Sequence, residues 1–119
     1  MREPNDFERY VASLIVVSGD GEGEEHRLER PRWLLGKGPE VDVAFEDSTM
    51  APKHLAIEFE SGRFRLCDLA SGSGTRVNGA EVAYCELRHG DRIEIGSHVF
   101  QILIERKDAV PAFGAMTSR

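Results

Sequence analysis

The chain has 119 residues, with 15 Lys and Arg against 21 Asp and Glu and a formal charge of −6. That length suits one domain, and the acidic balance excludes the basic excess that a general binder of nucleic acid or anionic membrane needs. Hydrophobic residues make up 40% and charged residues 30%, enough of the first to fill a core and too little of the second to keep the chain unfolded.

The first residues, Met1-Arg2-Glu3-Pro4-Asn5-Asp6, are polar and acidic, unlike a signal peptide, so the expected compartment is the cytoplasm. Strand signals begin at Tyr10 and recur at short intervals to Glu105, and no segment sustains an apolar helical stripe for three turns. Tyr10–Val17 is a β-branched run. Its longest nearly apolar stretch, Val11–Val17, is seven residues broken by Ser13, far short of the ~20 that cross a bilayer as a helix. The glycines of Ser18-Gly19-Asp20-Gly21-Glu22-Gly23 allow a turn before His26–Arg30 returns. Pro31 separates that strand from Trp33-Leu34-Leu35, and Val41–Phe45 is a further short strand.

Leu55, Ile57 and Phe59 alternate with Ala56, Glu58 and Glu60, which puts three apolar side chains on one face. Ser61-Gly62 is a hairpin turn, after which Phe64, Leu66 and Leu69 continue the core face. Ser71-Gly72-Ser73-Gly74 is a loop. Thr75–Val77 is a short strand closed by Asn78-Gly79, residues that both tolerate positive φ. One or two strands fall in Glu81–Leu87. His89-Gly90-Asp91 turns into Arg92–Ile95, with Ile93 and Ile95 pointing inward, and Val99–Ile104 is apolar on both faces. So many short strands predict an all-β, two-sheet antiparallel β-sandwich, with the Tyr10–Val17 and Val99–Ile104 strands adjacent because both read as interior strands. The expected layout is an N-terminal extension over 1–9, a domain over 10–105, and a C-terminal tail or linker over 106–119 that carries Pro111 and Gly114.

Several groupings fail as chemistry. Asp20, Glu22, Glu24 and Glu25 among glycines match no complete calcium loop and read as a solvated hairpin. His26, His54, His89 and His98 are dispersed without zinc spacing. Cys67 and Cys85, eighteen apart with no CxxC, read as free thiols. Ser97-His98 near Asp91 lacks a nucleophile elbow, and Gly36-x-Gly38 is followed by Pro39, which spoils a phosphate-binding helix start. Trp33 reads as a packing aromatic. No enzyme activity, cofactor or metal site is expected.

Four pieces stand in order: Leu35-Gly36-Lys37, Ala51-Pro52-Lys53-His54, Asp68 through Gly79 (DLASGSGTRVNG), and Leu87 through Gly96 (LRHGDRIEIG). Together they resemble the forkhead-associated (FHA) domain over about residues 10–105. The resemblance implies a sandwich whose loops, at one end, hold a phosphothreonine of a partner protein. A doubly charged phosphate needs cations and N–H or O–H donors on rigid loops.

By the resemblance, the phosphopeptide-binding positions are Lys37, Ala51, Lys53, Ser71, Gly72, Ser73, Thr75 and Arg76, and Gly36, His54, Gly74, Asn78 and Gly79 carry the structural motif. Three positions depart from the family pattern. Lys37 stands where the family has arginine, and lacks the bidentate fork. Ala51 replaces a serine whose hydroxyl donates to phosphate, and Ser73 replaces an asparagine that holds the peptide backbone. Each lost charge-assisted bond is worth about 1.5–3 kcal/mol. Fold is therefore expected to survive better than phosphothreonine binding, with Lys53 and Arg76 restoring charge if they converge with Lys37 on one surface and Lys37 stays free of Asp42 and Glu46. The expected partner is a protein or a Thr-phosphorylated phosphoprotein, not nucleic acid or membrane. The alternative is a phospho-independent scaffold or assembly subunit of the same fold. The sequence is silent on oligomeric state.

Overall fold

The computed structural model describes residues 6–69 and 71–107, and of Asp6 only the backbone. A 3-10 helix, Asp6–Arg9, leads into eleven strands: β1 Tyr10–Ser18, β2 Glu25–Arg27, β3 Arg32–Gly36, β4 Val43–Ala44, β5 Leu55–Glu60, β6 Arg63–Asp68, β7 Arg76–Val77, β8 Ala80–Glu81, β9 Tyr84–Leu87, β10 Arg92–Ile95 and β11 His98–Arg106. They form a six-stranded sheet, β2-β1-β11-β10-β7-β8, and a five-stranded sheet, β4-β3-β5-β6-β9. The predicted sandwich is thus the observed one. Its central pair is β1 and β11, antiparallel from Tyr10 opposite Arg106 to Ser18 opposite Val99.

Alternation explains which side chains meet between the sheets. Ile93 and Ile95 are at most 1% exposed while Arg92 and Glu94 face out. Leu14, Val16, Phe100 and Ile102 from one sheet pack against Trp33, Leu35, Leu55, Ile57 and Leu66 from the other, so Trp33 is a core aromatic. The two cysteines are free thiols. Phe7, within the N-terminal segment, extends the core by placing its ring 5.6 Å from that of Phe59.

Three details differ from the sequence reading. The segment expected as Val41–Phe45 is a two-residue strand and pairs parallel to β3, Leu35 with Val43 and Gly36 with Ala44, so the five-stranded sheet is mixed. Asp42 sets this geometry by accepting the Leu34 amide at 2.7 Å while its own amide donates back to Leu34. The returning strand expected over His26–Arg30 is Glu25–Arg27. Leu69 lies beyond β6, whereas the one or two strands expected in Glu81–Leu87 are two, β8 and β9, in different sheets. Of the predicted tail over 106–119, Arg106 still belongs to β11, and residues 108–119 lie outside the described residues.

Candidate functional site

Three loops meet at one end of the sandwich: residues 37–42 after β3, 45–54 between β4 and β5, and, between β6 and β7, 69 and 71–75. Gly36 starts the assembly. A Cβ there would overlap the Pro52 carbonyl, so only glycine lets the first loop lie against the second. Once they touch, the Lys37 amide donates to Ala51 O and the Gly38 amide to Pro52 O, each at 3.1 Å. Both amides are spent on the fold, which leaves the Lys37 ammonium as that residue's means of meeting an anion. Lys37 is exposed and has no ion-pair partner among the described residues. Asp42 is engaged elsewhere, 3.2 Å from Arg30.

His54 ties the loops together and is 0% exposed. Its Nδ1 accepts the Ala51 amide at 3.0 Å, and its Nε2 lies 3.0 Å from Gly74 O. An acceptor at Nδ1 and a carbonyl at Nε2 require the hydrogen on Nε2. The His54 amide donates to Leu35 O, and its carbonyl accepts the Leu69 amide, both at 2.9 Å. One side chain and its peptide groups thereby hold β3 and all but the first loop in register.

The third loop is closed by its own hydroxyls. Ser71 donates its amide to Asp68 Oδ1 and accepts the Gly74 amide on Oγ at 3.0 Å. Gly72 and Gly74 have φ of +84° and +93°, values that L side chains avoid. The Ser73 hydroxyl donates to the carbonyl of Thr49. Thr75 is 0% exposed, and its buried hydroxyl has no hydrogen-bond partner among the described residues. Asn78 and Gly79, at φ +52° and +87°, make the β7–β8 turn. Asn78 also donates to Asp91 and accepts the Arg92 amide, each at 3.0 Å.

The cations are distributed unevenly. Lys53 follows directly on the segment that carries the Lys37 loop, and pairs with Glu40 at 3.1 Å with both side chains more than half exposed. A pair so wet is readily exchanged for a better anion. Arg76 sits on β7 in register with Glu94 on one side and Glu81 on the other. The structure therefore joins Lys37 and Lys53 on adjoining segments and places Arg76 on the other sheet between carboxylates.

Sequence reasoning missed Thr49 and Asp47, and weighed His98 only as a metal or catalytic candidate. Asp47 accepts the Thr49 amide at 2.8 Å and its hydroxyl on the same oxygen, an Asx-type turn that Asp-x-Thr could have signalled. Its other oxygen lies 2.6 Å from His98 Nδ1, 51 positions away, for which no local signal exists. The Thr49 hydroxyl bond, opposed by burial and supported by His98, holds the Asp47 carboxyl down to about 2.

A family model described as the inner membrane component of T3SS, cytoplasmic domain, itself an FHA-type domain, matches residues 15–106. The chain belongs to the forkhead-associated family. An FHA domain solved in a study of phosphothreonine-dependent FHA domain interactions superposes with a TM-score of 0.71 at 28% identity, covering 78% of this chain and 95% of that one. The FHA domain of FhaA, solved in complex with the intracellular domain of Rv3910, gives a TM-score of 0.69 at 28% identity, covering 76% and 98%. The glycogen accumulation regulator GarA of Mycolicibacterium smegmatis is 33% identical over 85 residues, which are 71% of this chain and 54% of GarA. This FHA chain thus spans about half the length of that relative. Among the described residues, no helix is long and apolar enough to cross a membrane and no cluster of His, Cys, Asp and Glu is arranged to hold a metal ion.

Proposed function

We propose that this FHA domain is a non-enzymatic interaction module that takes a Thr-phosphorylated protein at its loop face, with a weaker hold on phosphate than a full motif provides. The observation that carries this reading is the unpaired Lys37 ammonium on loops braced by Gly36 and His54. Charge-assisted bonds from cations are the strong contacts a phosphate makes. The relatives lend support, since one FHA domain of this fold was solved for its phosphothreonine-dependent interactions and another with a protein partner. In this reading Lys37 and Lys53 meet the phosphate, while Gly72 and Ser73 border the peptide backbone. Such a partner places the domain in the cytoplasm, where threonine kinases act.

A second reading, a phospho-independent scaffold, draws on a different observation. Ala51 offers no hydroxyl, its amide is held by His54, and the Ser73 hydroxyl is held by Thr49, so two groups that could serve a ligand serve the loops instead and a third is missing. Isothermal titration with matched phosphorylated and unphosphorylated threonine peptides separates the two. Binding that requires the phosphate and is lost in Lys37→Ala supports the first; equal binding of both peptides, indifferent to Lys37, supports the second and overturns the first.

A further inference from the structure

Beneath the loop face lies a polar cluster that reaches one predicted site residue, Ser73. His98 opens β11 and is 2% exposed, yet both ring nitrogens are engaged: Nδ1 lies 2.6 Å from Asp47 Oδ2, and Nε2 lies 3.1 Å from the Asp20 carbonyl. Both partners only accept. An imidazole can satisfy two acceptors only with a hydrogen on each nitrogen, which makes the ring a cation. The Asp47 side chain, 6% exposed, supplies the opposite charge, and its other oxygen takes both the amide and the hydroxyl of Thr49. The Thr49 carbonyl then receives the Ser73 hydroxyl.

The surroundings suit a buried cation. Phe100 stacks on the His98 ring with centroids 5.6 Å apart and planes 10° off parallel, and Phe45 lies at 5.0 Å; aromatic faces attract positive charge and exclude water. Two glycines make the space. At Gly19, with φ +110°, a Cβ would stand 2.7 Å from the His98 ring, and at Gly96, with φ +57°, it would overlap the Thr49 hydroxyl. The other titratable groups nearby are the exposed Asp20 carboxylate on the β1–β2 turn and, behind Phe45, His26 with Glu24 3.2 Å away.

We propose that His98 and Asp47 are the positioning pair of the recognition loops, an imidazolium and a carboxylate that hold Thr49 so that its carbonyl fixes Ser73 before a ligand arrives. Removing either charge leaves the other buried and unpaired, so the arrangement tolerates one loop geometry. The ordering of the loops stands on this geometry alone, and only its consequence for affinity rests on the phosphopeptide reading.

The full chain, labelled with nitrogen-15, provides the test. The His98 ring in the folded protein is expected to show a hydrogen on each nitrogen. In Thr49→Val and Asp47→Asn, exchange of the Ala51 and Gly74 amides is expected to quicken about ten- to a hundredfold, the worth of one hydrogen bond to a charged group, while Ile57 and Leu66 are unchanged. Ser73→Ala should loosen Gly74 similarly and Ser73→Thr should restore it. Affinity for a phosphothreonine peptide should fall in step. A His98 ring with one protonated nitrogen, or unchanged Ala51 and Gly74 exchange in Thr49→Val, overturns the proposal even where peptide binds. If wild type binds no peptide, the function reading fails, and the ring and exchange measurements still decide the positioning role. Thr49→Val removes one hydroxyl and no charge, so it decides the matter should Asp47→Asn not fold.

Discussion

Lys37, Ala51 and Gly36 show how a loop contact spends backbone atoms on the fold and leaves side chains for the proposed recognition. The Lys37 amide is committed to Ala51 O, so a gain in phosphate affinity has to come from side chains. Lys37→Arg with Ala51→Ser is expected to strengthen binding of a phosphothreonine peptide about 5- to 30-fold by restoring a bidentate cation and a hydroxyl donor, as read by isothermal titration. Adding Ser73→Asn is expected to return part of that gain, because the Ser73 hydroxyl bond to Thr49 is lost. Gly36 tolerates no such exchange. Its missing Cβ lets the Pro52 carbonyl approach, so Gly36→Ala should part the first two loops and cost about 1–3 kcal/mol in urea unfolding.

Among the elements, the short strands depend on their turns and the long ones on their buried faces. The two-residue strands β7 and β8 bury little, and the Asn78-Gly79 turn supplies what they lack: positive φ at both positions and side-chain bonds from Asn78 to Asp91 and Arg92. Asn78→Ala should therefore destabilise by about 1–3 kcal/mol, combining a left-handed alanine with an orphaned Arg92 amide. β6 draws on packing instead. Leu66 is 0% exposed between the sheets, and Leu66→Ala should cost about 2–5 kcal/mol; chemical denaturation checks both.

For the molecule as a whole, the buried His98–Asp47 pair links the β1–β2 turn, β11 and the recognition loops, and it gives stability a defined pH dependence. The Asp47 carboxyl is held to about 2 from an ordinary 3.8, so the unfolded chain binds that proton more readily than the folded one. Its contribution is complete above about pH 4 and is lost as pH falls toward 2, on the order of 2 kcal/mol. Asp47→Asn should remove that part of the slope in an acid series of unfolding curves, and a slope unchanged in the variant would assign the acid sensitivity to other carboxylates. Net charge of −6 opposes a phosphopeptide at long range, so the proposed reading leaves recognition to the local cations Lys37 and Lys53.

What the sequence by itself determined is much of what is local or periodic. Alternation in Leu55–Glu60 and Arg92–Ile95 put the right faces inward, Ser61-Gly62 and Asn78-Gly79 announced their turns, and the ordered motifs around Gly36, His54 and Asn78 named the family fold, because turns and pleats depend on neighbours within a few residues. Tertiary structure alone decided the parallel pairing of β4, the division of Glu81–Leu87 between two sheets, the enclosure of Thr75 and the diversion of the Ser73 hydroxyl to Thr49. It also joined His98 to Asp47 across 51 positions. Contacts of that separation leave no periodic trace in a single chain; they exist only once the sheets have closed and a buried donor must take whichever acceptor the fold brings within reach.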